Sequence, residues 1–282
     1  LKIGFVTSAQ HRSLTADDLL LADAISSRGG RVFPIVWTEV RPKLLDCDLL
    51  LLRSCWDYHL YPERFAAWVE VAGRHSRLIN PAEIVLWNMD KKYLGDIAAA
   101  GFAVPRTITL EAGTQPELPK LFRAAGFSTA VIKPAISLSA FETYLVRSEE
   151  APRFEDKVKG LLQDRAVLVQ EFIPEIASQG EWSLIFAGGV FTHAVRKLPS
   201  AGDFRVQNEY GGSAEIAQPA QELLETASSI LARFAPQALY CRADMVPTPR
   251  GPVLMELELI DPVLHFALAP AAAARMAELL LK

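Results

Sequence analysis

Residues 240–262 read YCRADMVPTPRGPVLMELELIDP, and the fold is read outward from them. An apolar arm carries Arg242 and Asp244, a turn is built from Pro247, Pro249, Gly251 and Pro252, and a return arm follows as VLMELELI, the pattern of a β-hairpin. Glu256 and Glu258 are two residues apart, so in a strand they point to the same face, and Asp244 across the turn can join them. Like charges so arranged are unfavourable unless something neutralises them. Magnesium takes oxygen ligands and is commonly held by a few carboxylates together with a substrate's phosphates, so the pattern points to a nucleotide site. The competing reading is a solvated strand face, with Met255, Leu257 and Leu259 packed on the opposite side.

The chain has 282 residues, 50% hydrophobic and 22% charged, enough for two or three small lobes with their own cores. A net charge of -4 gives no electrostatic case for nucleic acid or an anionic membrane. No apolar run approaches the roughly 20 residues that span a bilayer. The opening LKIGFVTSAQ enters a strand pattern directly, without the pattern of a signal peptide. Cys47, Cys55 and Cys241 are odd in number and lack CxxC spacing, which argues against a disulfide framework or a zinc site. The expected setting is cytoplasmic, with no nucleic acid and no membrane partner.

Residues 1–85 are expected to form an α/β unit: strand KIGFVT, a helix beginning near Thr15, strand RVFPIVW and strand CDLLLLRS. Continuous apolar runs alternating with a helix imply a parallel sheet covered on both faces. Ligands gather at the carboxyl ends of such strands, near Thr7, Ser8, Arg53, Ser54, Trp56, Asp57 and Tyr58. The cluster RSCWDYH can hold an amino-acid-like small molecule, Arg53 on its carboxylate and Asp57 on its amine. Against this stands a capped helix start with aromatics packed for stability. His59 and His75 read as surface residues.

From Asn80 a helix with Lys91 and Lys92 near its start leads through Gly101 to the extended AVPRTITL. These lysines read as a wet helix face, or one of them, Lys91 first, as a phosphate contact. Residues 116–172 return to helix and strand. Lys133 ends the apolar strand AVIK, where a bound anion or purine explains a cation better than solvent does, the alternative being a side chain snorkelling into water. Strands around Gly188–Gly189 form a hairpin, and a basic, turn-rich segment then holds Arg196, Lys197 and Arg205. Helix 219–235 precedes the acidic hairpin, and 269–282 closes as a helix. The expected divisions are 1–85, a central lobe 86–170 and a C-terminal lobe 171–282 carrying the metal site.

The order NMDKKYL, VIKP, VLVQEFI, GEWSLIF, GDFRVQ, RAD and MELEL resembles the ATP-grasp ligase superfamily over about residues 80–262. RSCWDYH and ELELIDP resemble the branch that contains the cycloserine-forming cyclo-ligase of O-ureido-serine and, more distantly, bacterial glutathione synthetase. The resemblance implies an ATP cleft between two α+β lobes behind an N-terminal parallel α/β domain. It implies Lys91 on phosphate and Lys133 on adenine and the α-phosphate, with a hinge of Glu171, Phe172 and Ile173. Glu181 falls at the acidic position for the ribose hydroxyls, with Glu175 competing. Asp244, Glu256 and Glu258 match magnesium ligands, for two ions that manganese can replace, while Arg205 and Arg242, with Lys197 beside them, match positions that stabilise the transferring phosphoryl.

The activity so implied is C–N ligation through an acylphosphate, ring-closing or joining two amino acids, with a non-catalytic nucleotide-binding module as the rival; a homodimer is compatible with either. The chain departs from the pattern twice. The loop after Lys133 usually carries glycines that cover the phosphates, whereas here it reads PAISLSAFET, with Ser137, Ser139 and Thr143 as substitutes. The second ligand on the last strand is often Asn, and here it is Glu258. That extra charge calls for tight metal binding or a basic neighbour such as Arg242 or Lys197.

Overall fold

The computed structural model describes residues 1–39, 47–200 and 211–282. Strands β1 (Lys2–Thr7), β2 (Arg31–Val36), β3 (Leu49–Ser54) and β4 (Arg77–Ile79) form a parallel sheet in the order β2-β1-β3-β4. Helix α1 (Ala16–Ser26) starts at a capping box, in which Thr15 Oγ1 accepts from the Asp18 amide and the Asp18 carboxylate accepts from the Thr15 amide. Its Leu21 and Ile25 pack with Ile3, Phe5, Leu49 and Leu51 on one face of the sheet.

The other face packs Val6, Leu50 and Leu52 against Phe65 and Val69 of α2 (Pro62–His75). Helix α2 and strand β4 (Arg77–Ile79) add to the elements expected for this unit. His59 departs from its expected surface position: it is half-buried, with its ring centroid 4.9 Å from that of Phe141.

A second, antiparallel sheet runs in the order β5-β8-β6-β7, with β5 (Thr107–Leu110), β6 (Thr129–Pro134), β7 (Tyr144–Arg147) and β8 (Val167–Glu171). Helices α5 (Leu118–Ala125) and α6 (Ala151–Leu161) bury its apolar side through Leu118, Phe122 and Val158. The third sheet has the order β11-β10-β9-β12-β13. It comprises β9 (Glu181–Ala187), β10 (Val190–Leu198), β11 (Ser213–Ile216), β12 (Tyr240–Thr248) and β13 (Gly251–Glu258). The short helix α7 (Glu175–Gln179) precedes it. Helix α8 (Gln221–Phe234) covers one of its faces, while α9 (Pro270–Leu280) packs beside α1 in a core shared by the N-terminal sheet and β9.

Arg196 and Lys197 lie on β10 rather than in a turn-rich segment, because the hairpin ladder continues to Lys197↔Glu181. No helix among the described residues is long and apolar enough to cross a membrane.

The hairpin of residues 240–262 is β12 and β13, paired Arg242↔Glu258 and Asp244↔Glu256. A register shift between Asp244 and Met245 then pairs Met245 with Leu254. That extra residue puts Leu254 on the same side as Leu257 and Leu259, and it turns Met255 away from them. The expectation that Met255 packs beneath the acidic face is corrected: Met255 lines the cleft.

Strand β13 is the sheet edge, and its outward backbone groups are satisfied by side chains from α3 (Ala82–Met89) and α4 (Tyr93–Ala99). Asn88 Nδ2 donates to the Leu257 carbonyl at 2.7 Å and its Oδ1 accepts from the Leu259 amide at 2.9 Å. Tyr93 Oη accepts from the Leu257 amide at 2.8 Å.

Candidate active site

A cleft of about 330 Å³ opens between the second and third sheets. Strand β6 brings Lys133 to its wall, β10 brings Lys197, β12 brings Arg242 and Asp244, and β13 brings Glu256 and Glu258. Lys91, between α3 and α4, reaches in from below: its Nζ donates to the Ser137 carbonyl at 2.6 Å and lies 2.8 Å from Glu256 Oε1.

The cleft neutralises most of its own charge. Arg242 makes a fork to Asp244, Nε to Oδ1 at 3.0 Å and Nη2 to Oδ2 at 2.9 Å, and also pairs with Glu258. Lys197 Nζ sits 2.5 Å from Glu181 Oε1 and 3.4 Å from Asp244 Oδ2. Burial alone would raise Asp244, but Arg242 and Lys197 hold its carboxyl well below the usual range. Burial pushes Glu258 up to about 7 against the pull of Arg242, and the neighbouring Glu256 and Asp244 add to the rise. Glu256 is lowered, since Lys91 and Lys133 outweigh its desolvation. Lys133 has no salt-bridge partner among the described residues, and burial brings its ammonium down to about 8.

The expected hinge residues Glu171, Phe172 and Ile173 line the same cleft, as do Glu181 and Ser139. Glu171 also makes a fork to Arg106, at 2.9 and 3.0 Å. Glu175, the competing ribose position, begins α7 outside the cleft lining. The glycine-poor loop keeps the backbone shape that glycine favours: Ser139, Ala140 and Glu142 stand at φ of 48°, 55° and 48°. Ile136 and Leu138 of this loop rest on the apolar core of the N-terminal unit. Arg205 lies outside the described residues.

The N-terminal cluster is arranged differently from its sequence reading. Arg53 is committed inward, with Nε 2.7 Å from Asp18 Oδ1 and Nη2 3.6 Å from Asp17 Oδ2. Ser54 is buried and donates to Asp18 at 3.1 Å. Asp57 accepts from Trp37 Nε1 at 2.6 Å, and Tyr58 is buried in a stack against Phe65. Of the cluster, Trp56 lines the cleft. Its Nε1 donates to the Asp261 carbonyl at 3.0 Å. Asp261 and His265 line the cleft beside it, and neither was singled out from sequence. The available signal was an acid placed directly after a buried apolar pair and before proline.

Residues 106–264 match the RimK-like ATP-grasp domain. The chain belongs to that family. Residues 3–80 of this ATP-grasp chain also match the N-terminal domain of the D-cycloserine synthetase DcsG. Cycloserine biosynthesis protein DcsG of Streptomyces lavendulae is 28% identical over 249 residues, covering 83% of this chain and 82% of the relative. Glutathione synthetase of Parasynechococcus marenigrum is 28% identical over 215 residues, 73% of this chain and 65% of the relative. A probable alpha-L-glutamate ligase of Teredinibacter turnerae is 27% identical over 182 residues, 64% and 58% respectively.

Among solved structures, D-cycloserine synthetase DcsG shares the fold with a TM-score of 0.90 at 24% identity, over 99% of this chain and 98% of that one. D-alanine–D-alanine ligase of Bacillus anthracis gives a TM-score of 0.71 at 17% identity, over 100% and 96%. The resemblance read from the motif order is therefore met, and the chain is an ATP-dependent, ADP-forming C–N ligase.

Its family uses ATP and magnesium. The carboxylate oxygens of Asp244, Glu256 and Glu258 are the hard donors magnesium requires. In the arrangement described, however, they face Arg242, Lys197 and Lys91, and no group of three or more His, Cys, Asp or Glu among the described residues is gathered as a metal cage.

Proposed function

We propose that this ATP-grasp ligase activates the carboxylate of a small amino-acid-like substrate as an acylphosphate and closes a ring with a nitrogen of the same molecule. One observation carries the reading: Lys91, Lys133, Lys197 and Arg242 converge with Asp244, Glu256 and Glu258 on a single cleft. The likeness of both the N-terminal unit and the ATP-grasp domain to the cycloserine-forming relative supports the ring-closing form.

In this mechanism a substrate carboxylate oxygen attacks the γ-phosphorus, the bond to the β-phosphate oxygen breaks, and ADP leaves. The nitrogen then attacks the acyl carbon, the tetrahedral intermediate expels phosphate, and the nitrogen gives up its proton. Lys91 and Lys133 hold phosphate oxygens, while Arg242 and Lys197 offset charge at the transferring group, so positioning and electrostatics supply the acceleration. Glu181 takes the ribose hydroxyls, and the backbone of Glu171–Ile173 receives the adenine edge. Asp244, Glu256 and Glu258 would hold magnesium, two ions in this reading, which would supply charge neutralisation at the phosphates. No protein nucleophile is needed; Cys55 and Cys241 are buried, with thiols pushed up by desolvation.

Intermolecular joining of two amino acids is the second reading, favoured by the likeness to glutamate ligases. An ADP-release screen over amino acids and their ureido and aminooxy derivatives, with mass spectrometry of the products, tests both. A product formed without a second amino acid and lighter than its substrate by the elements of water, or by those of carbamic acid where a ureido substrate also loses its carbamoyl group, supports ring closure; a product that requires two substrates supports the alternative. Glu256→Gln is expected to reduce turnover by roughly 100-fold or more with the fold retained. Normal turnover in that variant removes Glu256 from the phosphate machinery.

A further inference from the structure

Four carboxylates at the cleft each face a cation: Asp244 faces Arg242 and Lys197, Glu181 faces Lys197, Glu256 faces Lys91, and Glu258 faces Arg242. Asp261 does not. It is 4% exposed, it lines the same cleft, and its Oδ2 meets no hydrogen-bond donor among the described residues. Burial holds the Asp261 carboxyl well above its usual range, against the pull of Arg53 and of one backbone hydrogen bond from Cys55, so a group that brings a cation and a donor for Oδ2 has a free-energy advantage in binding there.

The surroundings restrict what that group is. Arg242, the cation reaching in from β12, is occupied by Asp244 and Glu258, and its Nη1 donates to the Val263 carbonyl at 3.1 Å. Arg53 is held by Asp18 and Asp17, keeps its Nη1 without a hydrogen-bond partner among the described residues, and acts on Asp261 through its charge alone. The segment around Asp261 is fixed from the N-terminal unit by Trp56 Nε1 on the Asp261 carbonyl. On its far side His265 stands at φ 54°, a backbone state disfavoured for a non-glycine residue, with Nε2 buried and also unpartnered. Burial and the nearby Arg242 and Lys197 bring His265 down to about 3, so its imidazole is neutral and adds no competing positive charge. Trp56, Asp261 and His265 share the cleft lining, and the acidic character of this part of it suits a primary ammonium.

We propose that Asp261 receives the α-ammonium group of the amino-acid substrate and so selects amino acids over simple carboxylic acids. This rests on the ligase reading above and deepens it, giving the substrate its charged handle in the part of the cleft lining that Trp56 and Asp261 share. Asp261 is a binding and specificity residue and takes no part in bond making.

The test compares the wild-type protein with Asp261→Asn in ADP release, using O-ureido-serine of each hand and its counterpart lacking the α-amino group, 3-ureidooxypropanoate. Calorimetric binding of a non-hydrolysable ATP analogue with magnesium and thermal melting are measured alongside. A lost charge-assisted hydrogen bond predicts a KM for the amino probe raised about 10- to 100-fold in the variant, with kcat and nucleotide affinity little changed. The probe without the amine is expected to be poor with both proteins and to lose nothing further in the variant.

Equal losses with both probes would overturn the assignment. So would an unchanged KM accompanied by a lowered melting temperature, which would make Asp261 a structural partner of Arg53. If the wild type releases ADP with some amino acid of the wider panel and Asp261→Asn leaves that KM untouched, only this assignment fails. If the wild type releases ADP with none, the ligase reading itself fails.

Discussion

Lys133 gives the most quantitative handle on the cleft. Its ammonium is brought down by burial to about 8, from 10.5 for the unperturbed side chain. A bound phosphate favours the charged form, so nucleotide binding raises this pKa, and affinity must fall as pH climbs above about 8. If binding requires the cation, the apparent Kd scales as one plus the ratio of neutral to charged lysine, which makes binding at pH 9 about tenfold weaker than at pH 7. The terminal phosphate of the nucleotide, with a last pKa near 6, is already ionised across this window and contributes little.

The unfolded chain holds the Lys133 proton more tightly than the folded chain between pH 8 and 10.5. This group's effect on stability therefore rises with pH over that range, opposite in sign to its effect on affinity, so general alkaline unfolding does not mimic the result. Calorimetric titration of a non-hydrolysable ATP analogue with magnesium at pH 7, 8, 9 and 9.5 measures the slope. Lys133→Arg keeps the charge throughout and is expected to flatten it. A wild-type affinity that does not change between pH 7 and 9, or an equal slope in Lys133→Arg, refutes the reasoning.

Two further outcomes follow from the packing. Asp18→Asn leaves Arg53, 1% exposed, without its closest carboxylate and is expected to destabilise the fold by roughly 3–5 kcal/mol, read by denaturant unfolding; a loss below about 1 kcal/mol would show that Asp17 suffices. Because Asp18 titrates below its ordinary value, with Arg53 outweighing its burial, that contribution is complete above about pH 4 and is lost as pH falls further. Ala140→Gly relieves a side chain at φ 55° and is expected to gain about 0.5–1 kcal/mol after the added freedom of the unfolded chain is subtracted; a loss of stability would indicate that the Ala140 methyl group makes a contact worth more than the relieved strain.

Much of this architecture was legible in the chain. The runs KIGFVT and CDLLLLRS are apolar throughout because both faces of their sheet are covered, and the two-residue spacing of Glu256 and Glu258 fixed their common face. Met255 was misplaced because a bulge adds a residue without any sequence mark, and period-two counting fails beyond it. Helix α2 adds an element to those expected, and its buried Phe65, Val69 and Ala72 recur at helical spacing behind Pro62. Arg53 and Asp57 show the complementary limit: residue type indicates what a side chain can bind, while its actual partners, Asp18 and Trp37, come from distant segments. Asp261 lies at the same limit, since an oxygen left without a donor is a property of three-dimensional surroundings.

The loop after Lys133 leans Ile136 and Leu138 on the core of the N-terminal unit, and Phe141 meets His59 there. The loop expected to cover the phosphates is therefore seated on the element expected to choose the substrate. A chimera that exchanges residues 1–80 for those of a relative would carry altered ATP kinetics along with any new selectivity, so the two properties cannot be inherited as separate modules.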